Sequence, residues 1–223
     1  MNAPDPKASI AVLAGGMSRR MGEDKAMLRL VPEDSTLLGV VINRVRYLTD
    51  DLFVVAPERP GYSEFGIRVV PDHFPDSGPL GGIATALSVA EHDRCLVVSC
   101  DHPFLSTPLL RHMLTLDGSW DALIPIGDAP SRQGTMRVRH TAHAVYSKSC
   151  LPAIKNAISM GQLRSIAFLP DVRVEELEPE VQLRFDPLLR SLFSVNTRED
   201  LAIARDWRAE EIRKLQESVD HIN

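Results

Sequence analysis

The sequence has few cysteines and no long apolar run. Its three cysteines, Cys95, Cys100 and Cys150, form no CxxC pair. So sparse and odd a set predicts neither a disulfide framework nor a zinc site, and it is typical of the reducing cytoplasm. No run of about 18 apolar residues is present, so no membrane-spanning helix is expected. The polar first eight residues do not resemble a secretory signal. We therefore expect a cytoplasmic protein without a membrane anchor.

Basic residues are also outnumbered. The chain carries 25 Lys and Arg against 30 Asp and Glu, a formal net charge of −5. Binding to nucleic-acid polymers normally requires a basic face, so it is not expected. Hydrophobic residues make up 44% and charged residues 25% of the 223 residues. These fractions are typical of a folded globular domain and argue against disorder.

Short apolar runs alternate with amphipathic segments from residue 9 to about residue 160. Strands are predicted at 9–14, 52–56, 67–70, 95–100, 121–126 and 142–146. Helices are predicted at 36–48, 83–90, 108–116, 148–160 and 198–219, and the stretch 72–82, rich in glycine and proline, is predicted to be a loop. This alternation indicates a single α/β domain over residues 1–223, with its core at about 8–205. We expect a mostly parallel sheet with helices on both faces.

In such sheets ligands bind where parallel strands end, which places the loops after Ala14, Val70 and Cys100 along one rim. The first of these loops, residues 15–25, combines small, hydroxyl and basic residues. The residues concerned are Gly15, Gly16, Ser18, Arg19, Arg20 and Lys25. Glycine N–H groups and basic side chains suit phosphate oxygens, although the spacing matches neither a Walker A loop nor GxGxxG. The alternative is an ordinary basic surface loop.

Two aspartates follow predicted strands on the same rim. Asp101 ends the strand at 95–100 and could hold Mg²⁺, or it could be a turn residue in Asp-His-Pro. Asp72 ends the strand at 67–70 and could accept a hydrogen bond from a ribose or a base, or it could simply be solvated.

Residues 129–150 hold four basic side chains and no acid. The basic residues are Arg132, Arg137, Arg139 and Lys148, with His140 and His143 among them. A local positive field in an acidic protein favours a site for an anionic second substrate. The alternatives are a strand pair with solvated arginines and a His143 that packs within a strand. We expect the acidic stretch 171–186 to have no bearing on this site.

Several motifs together resemble one family. Residues 13–25, LAGGMSRRMGEDK, closely resemble the LAGGxSxRMGxDK signature of molybdenum cofactor guanylyltransferases and cytidylyltransferases, within the nucleotide-diphosphosugar pyrophosphorylases. Further matches follow in order: VPD at 70–72, GPLGGI at 78–83, CDHPF at 100–104 and FSVNTREDL at 193–201. The resemblance covers residues 8–205.

The resemblance implies a Rossmann-like fold and Mg²⁺-dependent transfer of a nucleoside monophosphate from GTP or CTP to the phosphate of molybdopterin or its molybdenum form, with release of pyrophosphate. It also implies transient contact with proteins that deliver or accept the cofactor. Lys25, Arg19 and Asp101 would be catalytic, and Asp101 and Asn196 would be metal ligands. The residues expected to bind nucleotide or acceptor are Leu13, Ala14, Gly15, Gly16, Ser18, Asp72, Gly81, Gly82, Arg139 and His140.

The chain departs from the family pattern at three places. Thr141 follows His140 where the family has proline, Ser194 replaces an asparagine, and residues 56–59 are Ala-Pro-Glu-Arg in place of an Ala-Asn-Arg-like stretch. The choice between guanine and cytosine therefore stays open. Two further alternatives are a sugar- or polyol-phosphate nucleotidyltransferase and a non-catalytic nucleotide-binding accessory protein.

Overall fold

Strands and helices alternate through most of the chain. The computed structural model describes residues 7–15, 24–32, 35–131 and 134–220. Within them the strands are β1 (Ala8–Leu13), β2 (Leu52–Val55), β3 (Arg68–Val70), β4 (Arg94–Ser99), β5 (Ala122–Ser131), β6 (Gly134–Arg139), β7 (His143–Ser147) and β8 (Val174–Leu177). The α-helices are α1 (Leu37–Val45), α2 (Gly78–Val89), α3 (Thr107–Thr115), α4 (Leu151–Ser159), α5 (Pro179–Gln182) and α6 (Arg198–Asp220).

The strands form one mixed sheet in the order β3-β2-β1-β4-β7-β5-β6, with β8 paired to β5. Pairing is parallel from β3 through β2 and β1 to β4, and again between β5 and β8. Strands β6 and β7 run antiparallel to their neighbours. The predicted α/β class, with a mostly parallel mixed sheet, is confirmed.

Helices cover both faces of the sheet, as predicted. Successive side chains of a strand point to opposite faces. Ile10 of β1 therefore packs in one cluster with residues of α1 and α3. Ala11, the next residue, packs in a second cluster with Ile83 of α2 and Ile154 of α4. Each face thus has its own apolar core.

Two predictions about helices were wrong. Residues 78–82 were expected to be loop, but α2 begins at Gly78 because Pro79 stands in its first turn, where a missing N–H costs no hydrogen bond. The helical spacing of Leu201, Ala204, Trp207 and Leu215 predicts that all four lie on one apolar side of the C-terminal helix, but Leu215 is 64% exposed. Leu201 and Ala204 of that helix do pack with Phe104.

The end of the sheet opposite the predicted rim is fixed by Asp51. Its carboxylate accepts hydrogen bonds from Ser9 Oγ at 2.6 Å and from Glu91 N at 2.8 Å. Arg68 lies 3.0 Å from its other oxygen. Asp51 precedes β2 and joins the starts of β1 and β3. Within the described ranges, no helix has the length and apolar character needed to cross a membrane.

Candidate active site

Backbone hydrogen bonds join the carboxyl ends of the parallel strands. The Cys100 amide donates to the carbonyl of Leu13 at 3.0 Å, and the Ala14 amide donates to the carbonyl of Val55 at 2.9 Å. The Ala56 amide donates to Val70 at 3.0 Å. The loops that follow β1, β3 and β4 therefore start from one rim, as predicted, and the loop that follows β2 starts from it as well.

Three predicted site residues meet at this rim. The Lys25 ammonium lies 3.0 Å from Asp101 Oδ2 and 2.9 Å from Asn196 Oδ1. The side chains of Lys25 and Asp101 are 15% and 21% exposed. An ammonium between a carboxylate and an amide oxygen is a compact charged centre that is open to solvent on one side.

The Asn196 side chain is held by its neighbours in the chain. The Val195 amide donates to the Asp101 carbonyl at 2.9 Å, which ties this segment to the end of β4. The Asn196 amide nitrogen Nδ2 donates to Ser194 Oγ at 2.6 Å, so Oδ1 faces Lys25. The serine that replaces the family's asparagine thus orients Asn196.

The same segment begins α6 with a capping arrangement. Asp200 Oδ2 accepts from the backbone N–H groups of Asn196 and Thr197 at 2.9 and 2.8 Å. In return Thr197 Oγ1 accepts from the Asp200 amide at 3.0 Å. Reciprocal bonds of this kind fix the start of a helix. The helix start therefore contributes to the position of Asn196.

Asp101 is ionised at neutral pH. Burial acts to raise its pKa, but a hydrogen bond and charge from His102, the charge of Lys25 and a hydrogen bond from Ser99 outweigh burial and hold the pKa below its usual range. Nδ1 of His102 lies 3.2 Å from Asp101 Oδ1. One carboxylate oxygen therefore faces His102 and the other faces Lys25.

A second group of predicted residues lies where β3 leads into α2. Asp72 Oδ1 accepts from the Phe74 amide at 2.9 Å and from Thr85 Oγ1 at 2.7 Å. A Cβ on Gly81 would lie 2.5 Å from the Phe74 carbonyl oxygen, and one on Gly82 would lie 3.2 Å from Leu13 Cδ2. The approach to the Phe74 carbonyl requires glycine at 81, and Gly82 packs closely against Leu13, so Leu13, Asp72 and the two glycines lie together.

The basic segment is partly neutralised, which corrects an expectation. Arg139 Nε donates to Glu176 Oε1 at 2.7 Å, and Arg137 pairs with Glu178. The acidic stretch was expected to have no bearing on this segment. That expectation was wrong because β8 pairs with β5, and β5 also pairs with β6, which carries both arginines. The strand pair of the alternative interpretation is present, because β5 pairs with β6, but Arg137 and Arg139 pair with glutamates.

His140 and His143 add no positive charge here at neutral pH. Burial and the nearby His102 lower the pKa of His140 to about 4. His143 is fully buried in β7, and burial lowers its pKa well below the usual value. Thr141, which stands where the family has proline, donates from Oγ1 to Ser165 Oγ at 2.7 Å. We conclude that this part of the site offers neutral polar groups.

Sequence reasoning missed a group around Asp24. Arg59 lies 2.9 Å from Asp24 Oδ1, and the Tyr62 hydroxyl donates to Asp24 Oδ2 at 3.2 Å. The sequence signal that could have identified this group is the position of Asp24 directly before Lys25 in the signature.

Of the other predicted residues, Ala14 is buried and Gly15 is exposed at the end of β1. The predicted residues Gly16, Ser18, Arg19, Arg20 and Arg132 lie outside the described residues.

A mixed α/β sheet whose rim joins Lys25, Asp101 and Asn196, with Asp72 beside Gly81 at the start of α2, defines an enzyme of the nucleotidyltransferase class. The model of the MobA-like NTP transferase domain matches residues 10–173. The chain belongs to this family, and it is a nucleotidyltransferase.

Its relatives agree with this assignment. The chain is 35% identical over 208 residues to a protein of Pelotomaculum thermopropionicum named "Probable molybdenum cofactor guanylyltransferase", covering 89% of this chain and 92% of the relative. The crystal structure of molybdopterin-guanine dinucleotide biosynthesis protein A from Archaeoglobus fulgidus is 25% identical, with a TM-score of 0.75 over 91% of this chain and 99% of that one. The 2-C-methyl-D-erythritol 4-phosphate cytidylyltransferase of Thermus thermophilus, at 17% identity and a TM-score of 0.64 over 89% of this chain and 98% of that one, shares the fold.

We expect stability to fall with acidification through His140. Its pKa is about 4 when folded, against an ordinary value of 6.5, so the unfolded chain takes up the proton first. The contribution of neutral His140 to stability is complete above pH 6.5 and is lost as the pH falls toward about 4. Between about pH 7 and about pH 5 the unfolding free energy should fall by about 2 kcal/mol through this group.

Urea unfolding of the wild type and of His140→Gln at the two pH values measures this loss. The variant should show a smaller decrease, whereas the exposed His73→Gln should behave as the wild type does. An equal decrease in wild type and His140→Gln would contradict the assignment.

Proposed function

We propose that the chain transfers GMP from GTP to the phosphate of molybdopterin or its molybdenum form and releases pyrophosphate. The observation that carries this proposal is the meeting of Lys25, Asp101 and Asn196 at the rim. The choice of guanine and of a molybdopterin acceptor is supported by the names of the relatives, which include guanylyltransferases at 35% and 31% identity.

The reaction is a displacement at phosphorus. An acceptor phosphate oxygen forms a bond to the α-phosphorus of GTP, and the bond from that phosphorus to the bridging oxygen of pyrophosphate breaks. The attacking phosphate is already an anion at neutral pH, so no side chain has to remove a proton. The obstacle is repulsion between anions, about 4 kcal/mol for unit charges about 4 Å apart at an effective dielectric constant near 20.

Lys25 reduces that repulsion. Its ammonium is held at the rim between a carboxylate oxygen and a neutral amide oxygen, and in the proposed complex it would also contact the triphosphate. A positioned cation stabilises the charge that develops on the departing pyrophosphate. Arg19 and the N–H groups of Gly15 and Gly16 would bind the remaining phosphate oxygens.

The donor atoms at the rim fit Mg²⁺. Asp101 supplies a carboxylate oxygen and Asn196 an amide oxygen, and both already point at one cationic group, the Lys25 ammonium. Mg²⁺ is commonly held by one or two carboxylates together with substrate phosphates. When bound there, Mg²⁺ would neutralise phosphate charge.

The two substrates would lie on either side of this centre. Asp72, Leu13, Ala14, Gly81 and Gly82 would receive the nucleoside. Ser18 would bind a phosphate oxygen. The acceptor would lie toward Arg139 and His140, with Arg139 exchanging Glu176 for an acceptor phosphate and neutral His140 forming a hydrogen bond. We place the reaction in the cytoplasm, which is supported by three free, buried cysteines.

Pyrophosphate release tests the proposal. The purified chain should release pyrophosphate from GTP when Mg²⁺ and molybdopterin are both present, and much less from CTP, ATP or UTP. Release from CTP but not from GTP would show that the enzyme uses cytosine in place of guanine nucleotides. Release only with a sugar or polyol phosphate would contradict molybdopterin as the acceptor. No release with any acceptor would favour a nucleotide-binding accessory protein.

Lys25→Ala should lower kcat by about 10²–10³-fold, the usual effect of removing one positioned transition-state donor. Steady-state kinetics with GTP and molybdopterin measure it. Lys155→Ala, at an exposed position on α4, is the matched control and should retain the wild-type kcat. Turnover at the wild-type level in Lys25→Ala would remove Lys25 from the mechanism.

Asp101→Asn should weaken metal binding even without substrate turnover. The amide keeps the shape of the side chain but loses the charge that attracts the ion. Electron paramagnetic resonance with Mn²⁺ as the probe should show at least tenfold weaker binding in the presence of GTP, about 1.4 kcal/mol. Asp117→Asn, at an exposed position shortly after α3, is the control. Wild-type metal binding in Asp101→Asn would place the metal elsewhere.

A further inference from the structure

The Asp24 side chain fixes the backbone turn that carries its neighbour Lys25. Its Oδ1 accepts from the Ala26 amide at 3.2 Å and so caps the 3-10 turn Lys25–Met27, in which the Leu28 amide donates to the Lys25 carbonyl at 3.1 Å. The backbone of Lys25 is therefore fixed by a carboxylate from the residue before it. That carboxylate has further partners outside the turn.

Those partners come from the connection between β2 and β3. Arg59 lies 2.9 Å from Asp24 Oδ1, and the Tyr62 hydroxyl donates to Asp24 Oδ2 at 3.2 Å. Tyr62 is 2% exposed, and the side chains of Arg59 and Asp24 are about one quarter exposed. This is a largely enclosed network in which a single carboxylate receives a charged and a neutral donor.

The connection also packs directly against the turn. Gly61 has φ of +87°, a conformation that favours glycine, and a Cβ there would lie 2.8 Å from Met27 Cε. The contact brings the backbone of the connection against the residue that ends the turn. The turn that bears Lys25 is thus supported by hydrogen bonds at its start and by packing at its end.

We propose that Arg59 and Tyr62 are positioning residues, which hold Asp24 and thereby set the Lys25 ammonium against the reacting phosphates. This inference rests on the proposed function, because it concerns the same reaction. It adds a role for two residues of the connection between β2 and β3, in which residues 56–59 depart from the family pattern.

The physical reason is the flexibility of lysine. A lysine ammonium is carried on a flexible four-carbon stem, so its bonds to Asp101 and Asn196 orient only the end of the side chain. The start of that stem must be fixed by the backbone. A displacement of about 1 Å at a reacting centre can cost about 10²-fold in rate. Affinity for the nucleotide is spread over more contacts and should change less.

Two readouts on Arg59→Met test the proposal. This variant removes the guanidinium and keeps much of the side-chain length. Its kcat should fall at least tenfold, while the dissociation constant for GTP changes less than threefold. Hydrogen exchange of the protein without ligands should become faster in the peptide that contains residues 25–28. Tyr62→Phe should show the same changes more weakly, and Arg59→Lys should recover part of the kcat because an ammonium can still pair with Asp24.

Arg68→Met is the matched control. Arg68 also pairs with an aspartate, Asp51, but at the opposite end of the sheet. Its removal should lower stability without affecting kcat or exchange at residues 25–28. Equal effects of Arg68→Met and Arg59→Met would overturn the proposal, because they would indicate a general loss of stability.

The two proposals fail in different ways. If the wild type transfers no nucleotide to any acceptor, the proposed function fails, and exchange at residues 25–28 still decides whether Arg59 holds Lys25. Wild-type exchange in Arg59→Met overturns the positioning role in either case. A wild-type kcat together with faster exchange also overturns it, since the turn would then move without consequence for the reaction.

Discussion

A short row of backbone hydrogen bonds at the carboxyl ends of β1, β2, β3 and β4 holds the site together. Each bond joins the end of one strand to its neighbour, from Val70 through Ala56 and Val55 to Ala14, and from Leu13 to Cys100. The loops that follow these strands carry Lys25, Arg59, Asp72 and Asp101. Because their starting points are fixed relative to one another, residues far apart in the chain can be placed within hydrogen-bond distance.

The charge of the molecule acts locally. A net charge of −5 would repel a triphosphate on average, yet the rim carries the positive charge of Lys25. The Lys25 ammonium is bonded to the Asp101 carboxylate and to the neutral Asn196 amide oxygen. The arginines of β6 are paired with glutamates, and His140 is neutral at pH 7. Under the proposed function, an anionic acceptor would therefore have to compete with Glu176 for Arg139.

Much of the site could be predicted because its residues stand at strand ends. Asp72 and Asp101 each follow a buried apolar run, and a parallel sheet brings such positions to one rim. The boundary of α2 was missed because glycine and proline usually indicate a loop, whereas Pro79 stands in a first helical turn. Leu215 was misplaced because helical periodicity identifies an apolar side but does not indicate how far the neighbouring core extends.

By itself, the sequence determined the α/β class, the family signature at residues 13–25 and the positions of the two aspartates, since these depend on local patterns and on the direction of parallel strands. Only the tertiary structure decided that Ser194 orients Asn196, that Glu176 pairs with Arg139, and that Arg59 and Tyr62 hold Asp24. These contacts join side chains whose neighbourhood depends on strand order, local turns and loop packing. No periodicity in the chain encodes a distance between two such side chains.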